Sequence, residues 1–108
     1  MPQRIQRRRT RGWRLPPTAI YVGRPTKWGN PFTVQKAREA GYQDPHAKAV
    51  HAYRLWLAGD PDFTSDVHRN QRLAILRDIH ELRGKDLSCW CRAEQKCHAD
   101  VLLEMANK

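Results

Sequence analysis

The chain has 108 residues, of which 40% are hydrophobic and 29% are charged, and its formal net charge is +9. This length predicts one small domain with a thin hydrophobic core. No apolar run approaches the roughly 18 residues that a membrane span needs, and no apolar segment follows the basic N-terminus as a secretory signal requires. The three cysteines are odd in number and clustered, which argues against a disulfide framework and predicts a reducing, cytoplasmic setting.

The N-terminal segment is strongly basic. Residues 1–14 contain six arginines and no acidic residue, and they lack hydrophobic periodicity. We therefore expect residues 1–17 to form a disordered basic arm ahead of a single domain over residues 18–108. The arm is either a solvated tail without a special purpose or a nucleic-acid-binding arm that releases counterions from phosphates.

A buried strand and an ordered loop come next. Residues 18–23 are rich in β-branched and aromatic side chains and end at a glycine, which predicts a strand. Two prolines and a glycine exclude a helix or a central strand over residues 24–32. Trp28 and Phe32 are expected to hold this loop against the core. Three polar side chains then remain to contact a ligand: Arg24, Lys27 and Asn30.

Helical patterns and one further strand occupy the rest of the chain. The predicted helices cover residues 33–41, 45–58, 71–83 and 98–106, and the predicted strand covers residues 87–91. Strands separated by helices favour parallel pairing, so the sequence predicts a small α/β fold with about four helices packed on a single-layer sheet. Two strands are few for a sheet, and we expect a further one in residues 32–34 or in the arm.

All three cysteines lie near the end of the second predicted strand. Cys89 and Cys91 are two residues apart, so alternation places their sulfurs on one face and Trp90 on the other, where we expect it to pack. Cys97 and His98 begin the last predicted helix. Free N–H groups and the positive end of the helix dipole favour a thiolate or a bound anion there.

Three hypotheses explain the cysteine cluster. The first is a zinc site of the Cys3His type, with Cys89, Cys91, Cys97 and His98 as ligands, in which Asp100 or water could replace the histidine. The second is an enzyme site in which one of the three thiolates is the nucleophile and His98 or Asp100 transfers protons. The third is a set of buried cysteines beside a helix-capping histidine, without chemistry.

Three segments resemble the family called domain of unknown function 4326, which comprises small proteins of phages, prophages and bacteria. They are residues 21–32, 84–91 and 97–103, and the resemblance covers residues 18–107 without the basic arm. It implies that the loop over residues 24–32 and the segment over residues 89–100 form one composite site. The matching motif residues are Arg24, Trp28, Gly29, Asn30, Pro31, Phe32, Cys89, Trp90, Cys91, Cys97, His98 and Asp100.

These patterns lead to a functional hypothesis. Arg24, Lys27 and the start of the last helix would make an electropositive pocket that suits a phosphate, completed by Trp28, Asn30 and Asp100. We therefore predict a phage-type accessory protein that binds nucleic acid or a nucleotide and contains zinc. The alternatives are a cysteine- or metal-dependent enzyme acting on nucleotides, such as a transferase or a glycosyl-bond hydrolase, and an effector that binds a host protein.

Overall fold

Residues 2–64, 68–92 and 94–108 are described by the computed structural model of the chain. The strands are β1 (Arg4–Gln6), β2 (Ala19–Tyr21) and β3 (Asp86–Cys89). The helices are α1 (Val34–Glu39), α2 (Pro45–Ala58), α3 (Arg69–Asp78) and α4 (His98–Ala106), and a 3₁₀ turn over Ile79–Leu82 extends α3. Within the described ranges, no helix combines the length and apolarity that crossing a membrane demands.

The three strands form one parallel sheet in the order β1-β3-β2. Leu87 of the central strand lies opposite Arg4 on one side and Ile20 on the other. Helix α4 packs against β3 and β1, and α2 packs against α4. The predicted α/β class, with a small parallel sheet and four helices, is confirmed.

The basic arm contributes the edge strand β1. The Leu87 amide donates to the Gln3 carbonyl at 3.0 Å, and the Arg7 amide donates to the Cys89 carbonyl at 2.6 Å. The prediction of a disordered arm is therefore wrong for this segment, and the expected further strand lies in the arm. The physical reason is that β3 would otherwise expose unpaired N–H and C=O groups along its second edge, which β1 satisfies.

Local capping explains where the helices begin. The Thr33 hydroxyl accepts the Lys36 amide at 3.1 Å, and the Asp44 carboxylate accepts the Ala47 amide at 3.0 Å. Helix α2 ends at Gly59, whose φ of 88° lies in the left-handed region that favours glycine. Helix α3 begins two residues before its predicted start and becomes a 3₁₀ turn at Ile79.

The core lies between the sheet and the helices and is rich in large apolar side chains. It includes Val22, Trp28, Tyr53, Trp56, Ile75, Leu82, Leu87 and Leu102. The buried Tyr53 hydroxyl donates to the Trp28 carbonyl at 2.7 Å, and burial raises the pKa of this tyrosine far above its usual range. This bond ties the loop of residues 24–32 to α2, and the burial of Trp28 in the core agrees with the prediction that its side chain holds the loop there.

Candidate metal centre and adjoining cavity

The three cysteines converge at the carboxyl end of β3 and the amino end of α4. Their Sγ atoms all lie within 4.8 Å of one another, and those of Cys89 and Cys97 are 3.1 Å apart. Cys89 and Cys97 are buried and Cys91 is half-buried, and all three are free thiols. We call this cluster of Cys89, Cys91 and Cys97 the three-thiol site.

The three-thiol site could hold a metal ion. Tetrahedral zinc with Zn–S bonds of about 2.3 Å requires sulfur atoms about 3.8 Å apart. The Cys89 and Cys97 sulfurs are closer than this at 3.1 Å, and no pair of the three exceeds 4.8 Å, so small side-chain shifts would suffice to admit the ion. Thiolates are soft ligands that suit zinc, copper(I) and iron. A metal here would join the end of β3 to the start of α4 in a domain with a thin core.

Hydrogen bonds among the thiols shift the pKa values of Cys89 and Cys91 in opposite directions. The pKa of Cys89 is lowered because its thiolate accepts hydrogen bonds from Cys91 and then from Cys97. The pKa of Cys91 is raised because ionisation would break its hydrogen bond to Cys89 and place a second negative charge nearby. Cys89 therefore releases its proton readily, whereas Cys91 retains its proton until a cation compensates the charge.

His98 lies beside the three-thiol site. Its Nε2 is 2.7 Å from the Val22 carbonyl oxygen, which can only accept, so Nε2 donates to it. Nδ1 lies 3.6 Å from the Cys97 Sγ, and the ring packs edge-on against Tyr53 at 5.5 Å. Among the residues described, the ligand atoms that are all close together are the three sulfurs, and His98 is outside that group.

Asp100 has a structural position on α4. Its Oδ2 accepts the Cys97 amide at 3.1 Å, which completes a capping box at the start of the helix. The same oxygen accepts the Arg4 guanidinium at 3.0 Å. Asp100 therefore joins α4 to β1, and it does not line the cavity described next.

A cavity of about 290 Å³ adjoins the three-thiol site. The loop of residues 24–32 supplies Arg24 and Asn30 to its wall, and Cys89, Cys91 and His98 also line it. The rest of the wall is largely apolar and comes from Tyr21, Phe32, Val34, His46, Ala49 and Val50. The two segments that the resemblance combined into one site do line one cavity.

Other residues of the loop serve to fix it in place. Lys27 donates to the Asp78 carboxylate at 2.6 Å, and this hydrogen bond raises the pKa of the lysine. Trp28 is buried in the core. Neither side chain lines the cavity, and their ligand-binding roles stay predictions.

Asn30 and Arg24 differ in how their polar groups are used. The buried Asn30 donates from Nδ2 to the Ala49 carbonyl and accepts the Phe32 amide at Oδ1, both at 2.9 Å. Arg24 is exposed, and its guanidinium has no ion pair within the described part of the chain. Of the predicted ligand-binding side chains, Arg24 is thus the one with a free charge at the cavity.

A second surface, which the sequence did not predict, surrounds Trp90. The Arg7 Cζ lies 4.6 Å from the centre of the Tyr21 ring and 5.3 Å from that of Trp90, while the Arg9 Cζ lies 4.9 Å from Trp90. We call these four residues the arginine–tryptophan surface. The only sequence signal for it is the two-residue spacing of the arginines, which places extended side chains on one face.

Trp90 is 42% exposed, so the expectation that it packs is wrong. Alternation directs it away from the core-facing Cys89, and Arg7 and Arg9 are the cationic side chains that pack on its ring. Its indole borders both the cavity beside the three-thiol site and a groove lined by residues 6–10 of the arm. Trp90 therefore connects the two surfaces.

Comparison with known proteins identifies the family. Neither a curated protein nor a solved structure matches this chain. A family model described as Domain of unknown function (DUF4326) matches residues 5–108. The match includes most of the basic arm, which the resemblance had placed outside the family. Because it spans nearly the whole sequence, the chain belongs to the DUF4326 family.

Proposed function

We propose that this protein binds single-stranded nucleic acid through the arginine–tryptophan surface and holds a zinc ion in the three-thiol site. The observation that supports the nucleic-acid proposal most directly is the position of Trp90. Its half-exposed indole lies next to the guanidinium groups of Arg7 and Arg9 and borders a groove formed by the arm.

The charge of the arm supports a phosphate-rich partner. Four further arginines belong to the same basic segment, and three of them, Arg8, Arg11 and Arg14, are exposed. Arginines that neutralise phosphates release condensed counterions, which supplies affinity without sequence preference. The flat indole and guanidinium groups can also stack on unpaired bases, which a duplex keeps within its own stack. This combination favours a single strand over a duplex.

The chemistry of the thiols supports zinc. Zinc accepts three thiolates readily in tetrahedral geometry, and the three sulfurs lie within 4.8 Å of one another. It has no redox chemistry of its own, so it would occupy the three sulfurs without oxidising them. A zinc ion would also stabilise the junction of β3 and α4, next to the carboxyl end at which Trp90 lies.

Fluorescence anisotropy with a labelled single-stranded oligonucleotide, measured over a series of salt concentrations, tests the nucleic-acid proposal. We expect binding that weakens with salt and is tighter than binding to the matching duplex. The double variant Arg7→Ala/Arg9→Ala should lower the magnitude of the log–log salt slope by about 1.4, at about 0.7 for each lost phosphate contact.

The matched control is Arg38→Ala/Arg83→Ala, which removes the same charge from two exposed arginines outside the arm. We expect this control variant to retain nearly the full log–log salt slope of the wild-type protein. Equal losses in the two double variants would mean that net charge alone governs binding. No binding by the wild-type protein at low salt would overturn the nucleic-acid proposal entirely.

A further inference from the structure

The three-thiol site supplies three protein ligands, whereas tetrahedral zinc takes four. Among the described residues, His98 and Asp100 are the nearest further candidates, and neither joins the group of mutually close ligand atoms. Asp100 is engaged by the Cys97 amide and by Arg4. His98 donates from Nε2 to the Val22 carbonyl, and its Nδ1 lies 3.6 Å from the Cys97 Sγ but outside the group of mutually close ligand atoms.

The cavity lies where a fourth ligand would enter. Cys89 and Cys91 both line it, so a metal between the sulfurs borders a space of about 290 Å³. Sites closed by four protein ligands are structural, whereas sites with three protein ligands keep a position for water or a substrate. We propose that the metal of the three-thiol site keeps an exchangeable fourth position that opens into this cavity. The inference depends on the proposed metal site and is independent of nucleic-acid binding.

The donor set indicates which ligand this position would take. Three thiolates outweigh the two positive charges of zinc, so the metal attracts a hard oxygen donor weakly and accepts a soft sulfur donor well. The wall contributed by Tyr21, Phe32 and Val50 suits an apolar body. The Arg24 guanidinium, which forms no ion pair with any described residue, suits an anionic group. The ligand class is therefore a small thiol that carries a carboxylate or a phosphate.

The binding step is a ligand exchange. The thiol of the incoming molecule loses its proton to solvent, and its sulfur forms a bond to the metal as a coordinated water leaves. No electron is transferred, and the three protein thiolates remain bound. Coordination would keep the incoming sulfur as a thiolate at neutral pH, which is the reactive form of a thiol.

Cobalt(II) spectroscopy of the full-length protein tests the inference, because thiolate–cobalt charge-transfer bands report each sulfur ligand. We expect 3-mercaptopropionate to change these bands saturably and to give a ternary complex by native mass spectrometry. Propionate, which lacks the thiol, should leave them unchanged. Cysteamine, which carries a cation in place of the anion, should bind about tenfold more weakly, and Arg24→Ala should abolish that difference.

His98→Ala serves as the second variant. If the fourth position is open, this variant should keep the wild-type cobalt spectrum and the wild-type response to the thiol. A wild-type spectrum that does not respond, a spectrum that responds only in His98→Ala, or removal of cobalt by the thiol would overturn the inference. Each of those results would leave the proposed metal site standing. Failure to bind cobalt or zinc at all would overturn both the metal site and its open fourth position.

Discussion

The cavity beside the cysteines and the arginine–tryptophan surface both border Trp90, yet they depend on the fold in different ways. The cavity combines a loop at residues 24–32, the end of β3 and the start of α4, and its thiols are largely buried. The arginines of the second surface come from one continuous, mostly exposed segment. Substitutions at the cavity should therefore lower the free energy of unfolding. Substitutions at the arginine–tryptophan surface should weaken nucleic-acid binding and leave the free energy of unfolding nearly unchanged.

Cys97→Ala should have the largest effect on the cavity side. It removes a buried metal ligand, and structural zinc contributes up to about 10–16 kcal/mol in zinc-finger peptides. Because this domain also has its own hydrophobic core, we expect a loss of at least about 3 kcal/mol. A chelator should lower the thermal midpoint of the wild-type protein and leave that of the variant unchanged. Equal midpoints for the wild-type protein with and without chelator would argue against a stabilising metal.

Asn30→Ala tests whether the cavity wall is part of the stable fold. The substitution leaves the Ala49 carbonyl and the Phe32 amide without their buried partner, which should destabilise the protein by about 2–4 kcal/mol. Urea unfolding should show a lower midpoint with an unchanged m-value. A change below about 0.5 kcal/mol, typical of surface sites, would show that the stability of the loop does not depend on the two hydrogen bonds of Asn30.

Two arginines of the arm sharpen the contrast between stability and binding. The Arg4 side chain is 12% exposed and donates to Asp100 and to the Arg92 carbonyl, so Arg4→Ala should cost about 1 kcal/mol. Asp100 is 46% exposed, and solvent screening keeps the loss from being larger. Arg9→Ala should change stability by less than about 0.5 kcal/mol and should weaken oligonucleotide binding. Equal destabilisation by the two variants would contradict the proposed division of roles.

Ser88→Ala should have the smallest effect. Ser88 lies on β3 between Ile5 and Tyr21, and its buried hydroxyl has no hydrogen-bond partner within residues 2–64, 68–92 and 94–108. Replacing it with a methyl group should leave the free energy of unfolding unchanged or raise it by up to about 1 kcal/mol. Destabilisation by more than 1 kcal/mol in urea unfolding would mean that the hydroxyl has a stabilising partner.

Much of this fold follows from local patterns. The apolar stripe and bounds of α4, the caps at Thr33 and Asp44, and the strand that ends among the cysteines are all readable from neighbouring residues. The strand β1 is not readable in this way. It has three residues and no hydrophobic pattern of its own, and its pairing partner lies more than 80 residues away.

The roles of individual site residues were harder to predict than their location. The sequence predicts that Lys27 contacts a ligand, but Lys27 pairs with Asp78, which is 51 residues away and carries no signal of that contact in the sequence. The sequence also offers Asp100 as a ligand, although a position three residues after the N-cap is typical of a capping box. Sequence spacing brings side chains to one region, and the direction of each side chain is set by tertiary packing.

Metal content and thiol reactivity, measured together on the purified full-length protein, test the central claim most directly. Native mass spectrometry should show one zinc ion per chain, and the three thiols should react with a thiol-specific reagent only after a chelator is added. A folded, metal-free protein whose three thiols react without chelator, and whose thermal midpoint does not rise when zinc is supplied, would contradict the account.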